Sequence, residues 1–184
     1  MAKKQRSKRR RSRSTASRAP WILGAIGVAA LIAIPIVVDS VRAANLPGER
    51  FASQGNRHVP LGANVPPYNS DPPTSGPHTA ELAAWGAYGP DDVVEDQRVL
   101  HNMEDGGVVF WYRPVADEDE TLDRVDALEE IAAGYRRVVI APRPDMPTDY
   151  AMTAWRRLQR FETIDEEGMT AFLAAYEGID NHVR

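Results

Sequence analysis

The chain has 184 residues, with 22 Lys+Arg, 26 Asp+Glu, four His and no Cys. That length predicts one domain with an appendage, and the missing thiols exclude disulfides, thiolate metal sites, Fe–S clusters and Cys nucleophiles. The net charge of −4 conceals a division, because residues 1–38 carry basic groups and no acid while the remainder is strongly acidic, which excludes a uniformly basic nucleic-acid binder.

Residues 1–20 contain Lys3, Lys4, Arg6, Lys8, Arg9, Arg10, Arg11, Arg13 and Arg18 interleaved with Ser. Such like charges repel and build no core, so the segment is predicted to be disordered. Residues 21–38, from Trp21 to Val38, carry no charge. As a helix they would span about 27 Å, close to a hydrocarbon core of about 30 Å. The pattern predicts one transmembrane helix with an interfacial Trp21. Basic residues before it and Asp39 after it place the N-terminus in the cytoplasm and residues 39–184 outside the cell membrane. The basic run is its cytoplasmic flank, in contact with anionic headgroups. The predicted partners are therefore the lipid bilayer and an envelope protein or ligand, with no nucleic acid. The rival is a signal peptide cut after Ala43, disfavoured because the apolar stretch exceeds the usual signal-peptide core.

Residues 39–50 read as a stalk, 51–180 as a domain with a single core, and 181–184 as a tail. Residues 59–77 are crowded with Pro, Gly, Asn and Ser, which predicts a stiff irregular loop of a length that is usually functional or disordered, and Tyr68 and the downstream histidine favour functional. Residues 79–85 are predicted as a short helix. Arg98–Met103 and Gly107–Arg113 read as two strands of a hairpin turning at Glu104-Asp105-Gly106, the second buried on both faces. A helix is predicted over 117–133, capped by Asp117 and Glu120, with Leu122, Val125, Leu128 and Ala132 on its apolar face and Gly134 at its end. Residues 137–141 read as a strand; residues 151–161 fit a strand or a helix, and the strand is preferred because Pro147 leads in and the next helix has its own start. Thr163 and Glu166 predict the cap of a last helix, with Met169, Phe172, Leu173 and Tyr176 facing the core and Gly178 closing it. The order β-β-α-β-β-α predicts a small α+β domain with a mixed or antiparallel sheet and two main helices.

His58, His78 and His101 are the residues with most chemical potential. His182 lies in the tail and is predicted to be irrelevant. Without thiols, imidazole and carboxylate are the strong transition-metal ligands that remain. In an extended segment His101, Met103 and Asp105 would share one face, opposite Asn102 and Glu104. The predicted metal set is His58, His78 and His101, completed by Glu104, Asp105 or Met103. Thioether would favour copper, and carboxylate would favour zinc, iron or manganese. The histidine spacings match no standard metal motif, and the alternative is that each histidine anchors a loop through hydrogen bonds.

Tyr68, Asn69, Thr74 and Ser75 form a second candidate set in the Pro-rich loop. Ser75, His101 and Glu104 supply the residue types of a hydrolase, but the G-x-S-x-G elbow is missing, and Thr74 and Ser75 read more simply as turn caps. Gly106-Gly107 lacks phosphate-loop context and reads as a tight turn. Asp117 to Glu120 lack the alternation of an EF-hand loop and read as a solvated helix start. Trp85, Trp111 and Trp155 are predicted in the core, and Arg156, Arg157 and Arg160 on the surface.

Four strings carry a resemblance: Tyr68-Asn69-Ser70-Asp71-Pro72-Pro73-Thr74-Ser75-Gly76-Pro77-His78, then Trp85-Gly86-Ala87-Tyr88, then His101-Asn102-Met103-Glu104-Asp105-Gly106-Gly107, then Thr153-Ala154-Trp155. Over about residues 50–180 the chain resembles the domain-of-unknown-function family three-one-zero-five, prokaryotic proteins often bearing one N-terminal membrane span. The resemblance implies a site around His78, His101 and Glu104 and brings no activity with it. Where the family pattern has H-N-x-E-H-G, this chain carries Asp105 in place of the second His, which disfavours an all-imidazole or copper site. Three functions stay open: a divalent-metal site, with zinc or copper as the candidates; a non-catalytic envelope interaction or structural module; and an uncharacterised hydrolase.

Overall fold

The structure, a computed structural model, describes residues 46–182. The predicted basic segment, the transmembrane helix, the cut site after Ala43 and most of the stalk lie outside the described residues. Among those described, no helix is long and apolar enough to cross a membrane.

The domain is α+β, with a mixed six-stranded sheet and three helices among the described residues. In chain order these are β1 (Glu49–Arg50), β2 (Gly86–Ala87), α1 (Asp96–Glu104), β3 (Val108–Tyr112), α2 (Glu118–Ala132), β4 (Val138–Pro142), β5 (Tyr150–Ala154), β6 (Arg157–Phe161) and α3 (Glu166–Tyr176). The sheet order is β1-β6-β5-β3-β4-β2. The pairs β3/β4 and β2/β4 are parallel, and the others are antiparallel. Strand β3 is central, and all five of its residues are buried, as the unbroken apolar run predicts. Its side chains alternate between two cores. Val108, Phe110 and Tyr112 pack with Val125 and Leu128 of α2 and with Met169, Phe172 and Leu173 of α3. Val109 and Trp111 pack on the other face with Val99, Leu100 and Met103 of α1.

Several expectations are corrected. Residues 98–103 are helical, so the predicted hairpin does not exist. Val99, Leu100 and Met103 share one helical face, and burying that face against the sheet outweighs their period-2 alternation. Glu104-Asp105-Gly106-Gly107 is the end of α1. The Gly106 N–H reaches the Met103 carbonyl (3.1 Å) and the Gly107 N–H reaches that of Asn102 (2.7 Å), the paired bonds of a Schellman ending. Gly106 has φ +84°, and a Cβ there would lie 2.8 Å from the Ile179 backbone, so glycine is needed twice over.

Residues 79–85 are irregular, not helical. They are held to α1 by buried Asn102, whose Oδ1 accepts from the Ala83 N–H (2.9 Å) and whose Nδ2 donates to the Ala83 carbonyl (3.0 Å). The expected strand 151–161 is two strands folded at Trp155-Arg156, where Arg156 takes φ +64°. Asp117 caps α2 as expected, accepting from the Glu120 N–H at 3.1 Å. Leu122, predicted on its apolar face, is exposed. Asp165 caps α3 in place of Thr163, accepting from the Gly168 N–H at 3.0 Å. Trp111 and Trp155 are buried, whereas Trp85 is partly exposed.

Candidate metal centre

Two segments meet at the C-terminal end of α1. Residues 57–59 run beside residue 78 as a short parallel bridge. The Val59 N–H donates to the His78 carbonyl (2.7 Å) and the His78 N–H to the Arg57 carbonyl (3.1 Å). The bridge sets His58 and His78 side by side, with ring centroids 5.0 Å apart. The intervening Pro-rich loop is pinned by two glutamines. Gln97 of α1 accepts from the Gly62 N–H (2.8 Å) and donates to the Ala63 carbonyl (2.9 Å). Gln54 accepts from the Asn69 N–H (2.8 Å) and donates to the Pro67 carbonyl (2.9 Å).

On the helix, residues three and four apart share a face. His101 therefore projects with Glu104 and Asp105. Met103, about 200° around from His101, is fully buried in the apolar core. The expected face of His101, Met103 and Asp105 is corrected accordingly: Met103 leaves it and Glu104 enters. His101 lies 4.9 Å from His58 and 5.4 Å from His78, centroid to centroid. One ligand atom from each of His58, His78, His101 and Glu104 falls within 4.8 Å of all the others.

Glu104 is 1% exposed and His78 0%, so both have been taken from water and need partners. Asn56 Nδ2 donates to Glu104 Oε1 at 2.7 Å. Glu104 Oε2 faces His78 Nε2 at 2.9 Å and His58 Nε2 at 3.3 Å. His78 Nδ1 faces the Gly76 carbonyl at 2.8 Å. That oxygen only accepts, so Nδ1 carries the proton. In the neutral ring Nε2 then presents a lone pair to a carboxylate oxygen that also only accepts. Two lone pairs at that distance need a proton between them, on the ring or on the carboxyl, or a metal ion bound by both. A histidine whose far nitrogen is held by a carbonyl is also the usual form of a metal-bound imidazole.

Burial alone would raise the Glu104 carboxyl, but the Asn56 amide and the His78 and His58 imidazoles hold it below its ordinary value. His101 is pushed below its ordinary value by burial, with His78 and His58 adding to the effect against the pull of Asp105. Its neutral, ligand-competent form is therefore favoured. Its buried Nδ1 has no hydrogen-bond partner among the described residues.

The remaining sequence candidates lie in the scaffold. Tyr68 donates to the Pro77 carbonyl (2.8 Å), and burial followed by Asp96 pushes its hydroxyl up to about 12. Asn69 Nδ2 donates to the Ala52 carbonyl at 2.8 Å. Thr74 and Ser75 are buried. Thr74 Oγ1 pairs with Ser70 Oγ (3.1 Å), and Ser75 Oγ accepts from the Gln54 N–H (3.1 Å). Neither caps a backbone amide of its own turn as expected: Ser75 ties the loop to residue 54, 21 positions away, and is not paired with an imidazole as a nucleophile would be.

Two neighbours escaped the sequence reading. Asn56 is one. The other is His182, brought to the centre because the Asn181 N–H donates to the Glu104 carbonyl (2.8 Å) and the Gly178 N–H to that of Gly106 (2.8 Å). His182 Nε2 lies 3.8 Å from Glu104 Oε2 and 3.5 Å from Asp105 Oδ1. No local spacing signals a contact between residues 78 positions apart. The only hint was an unclaimed carboxylate–imidazole pair, Asp180 and His182.

Compared with known proteins, residues 58–182 match the model of the family described as Protein of unknown function (DUF3105). The match spans most of the chain and contains all four histidines, and the chain belongs to that family. No curated protein and no solved structure matches it.

Proposed function

We propose that this member of the DUF3105 family binds a divalent transition-metal ion through His58, His78, His101 and Glu104, in a domain held outside the cell membrane by the apolar segment 21–38. The observation that carries the metal reading is the convergence of one ligand atom from each of these four residues to within 4.8 Å of one another, with His78 Nδ1 already committed to a carbonyl. Three imidazoles and one carboxylate suit zinc, iron or manganese. The thioether that would favour copper is turned into the core with Met103. Four protein donors complete a tetrahedral set, which favours holding an ion over catalysis at an open coordination position. The extracytoplasmic placement is supported by the uncharged span and its basic flank.

The test is thermal unfolding of the chelator-stripped chain with and without Zn²⁺. At a hundredfold excess over Kd, binding to the native state alone stabilises by about 2.7 kcal/mol, on the order of 10 °C in Tm for a domain of this size. The His78→Ala variant should gain much less. Equal shifts in both proteins, or none in either, would overturn the reading and leave the histidines as loop anchors of an interaction module.

A further inference from the structure

His101 belongs to two clusters. Besides the set with His58, His78 and Glu104, one ligand atom each from His101, Asp105 and His182 fall within 4.8 Å of one another. In that second set Asp105 Oδ1 lies 3.5 Å from His182 Nε2 and 3.9 Å from His101 Nε2. These separations are too long for hydrogen bonds. They are close to the roughly 3.4 Å that separates two donors each about 2.1 Å from one tetrahedral ion.

The histidine of the tail is also prepared as a ligand. His182 Nδ1 pairs with Asp180 Oδ1 at 2.8 Å, and the same oxygen accepts from the His182 N–H at 2.9 Å. A carboxylate on the far nitrogen fixes the ring's tautomer and orientation and leaves Nε2 free for an ion. The tail does not lie there by chance contact. Asn181 donates to the Glu104 carbonyl (2.8 Å) and to that of Met103 (3.3 Å). It thereby occupies the Glu104 carbonyl, which the end of α1 leaves without a helical partner, and shares that of Met103 with the Gly106 N–H.

We infer that His182, Asp105 and His101 form a second cation position beside the first, so that the centre holds two divalent transition-metal ions with His101 between them. An imidazole serves an ion on each side only as imidazolate, so binding of the second ion would release the remaining ring N–H proton of His101 to solvent. Glu104, Asp105 and Asp180 bring three carboxylates to a site that would otherwise gather two dications against little negative charge. The outer position is the more accessible, since His182 is 42% exposed against 0% for His78. This inference rests on the proposed metal binding at the first position.

The test is the number of zinc ions bound per chain, measured by equilibrium dialysis and elemental analysis on the untagged full chain after chelator stripping. The wild type should bind two ions. His182→Ala and Asp105→Asn should each bind one and keep the wild-type circular dichroism. One ion in the wild type and one in His182→Ala would overturn the second position and leave the first standing. One in the wild type and none in His182→Ala would make the tail histidine a ligand of a single ion and overturn the two-ion form. No ion in the wild type would overturn the first position itself.

Discussion

Glu104 carries its charge at a carboxylate that is 1% exposed, with one amide and two imidazoles within 3.3 Å. Removing one member of such a set leaves the others buried and unpaired, which costs about 1–3 kcal/mol or more. Acid should weaken the site through His101 and Glu104, opposed by exposed His182, whose bond to Asp180 raises it above its ordinary value. His101 has a folded pKa below its ordinary value of 6.5. As pH falls below that value the unfolded chain takes up the proton first, so stability declines until the lower folded pKa is reached. Glu104 has a folded pKa below its ordinary 4.5. Its contribution is complete above 4.5 and is lost as pH falls through the folded value. Through His101 the Tm of the metal-free chain should begin to drop as pH falls below 6.5, before ordinary carboxylates titrate. The drop should be shallower in His101→Gln, and an unchanged slope in that variant would remove His101 as its cause.

The elements divide into those that aim the site and those that support it from a distance. Helix α1 and the bridge at His58 and His78 aim it. Helix α2 packs on the opposite face of the sheet. Asp117→Ala should cost about 0.5–2 kcal/mol through the lost cap and leave zinc stoichiometry unchanged. Gly106→Ala should cost at least about 1–2 kcal/mol for the left-handed backbone alone. It should also weaken zinc binding, because a Cβ there strikes the Ile179 backbone that leads into the tail. Urea unfolding and dialysis of both variants separate the two effects. Much of this was legible in the sequence, because β3, α2, β4 and α3 each carry a continuous local signal of apolar run, periodicity or cap. Helix α1 was not, since Val99, His101 and Met103 alternate as a strand would, and only the glycine pair beyond Glu104 marks a helix end. The three histidines were visible as residue types. Their meeting point depends on the turn of α1 that exchanges Met103 for Glu104, and on a tail contact that has no local signature.

At the scale of the whole chain, the basic and apolar N-terminal segments and the acidic domain carry separable tasks. A reporter that works only outside the cytoplasmic membrane, fused after Arg184, should be active, and a cytoplasm-dependent one inactive. Neutralising Lys8 to Arg11 should weaken or invert that topology. An active cytoplasmic reporter on the unaltered chain would contradict the proposed placement. The proposed metal centre belongs to the domain and asks nothing of the proposed anchor beyond location. The measurement that bears on it most directly is anomalous diffraction at the zinc edge from crystals of the zinc-loaded protein. The account predicts a peak about 2.0–2.2 Å from His78 Nε2 and from a Glu104 carboxylate oxygen, with His58 and His101 completing the shell. A map without a peak among these four residues, with His78 still in direct contact with Glu104, would contradict it.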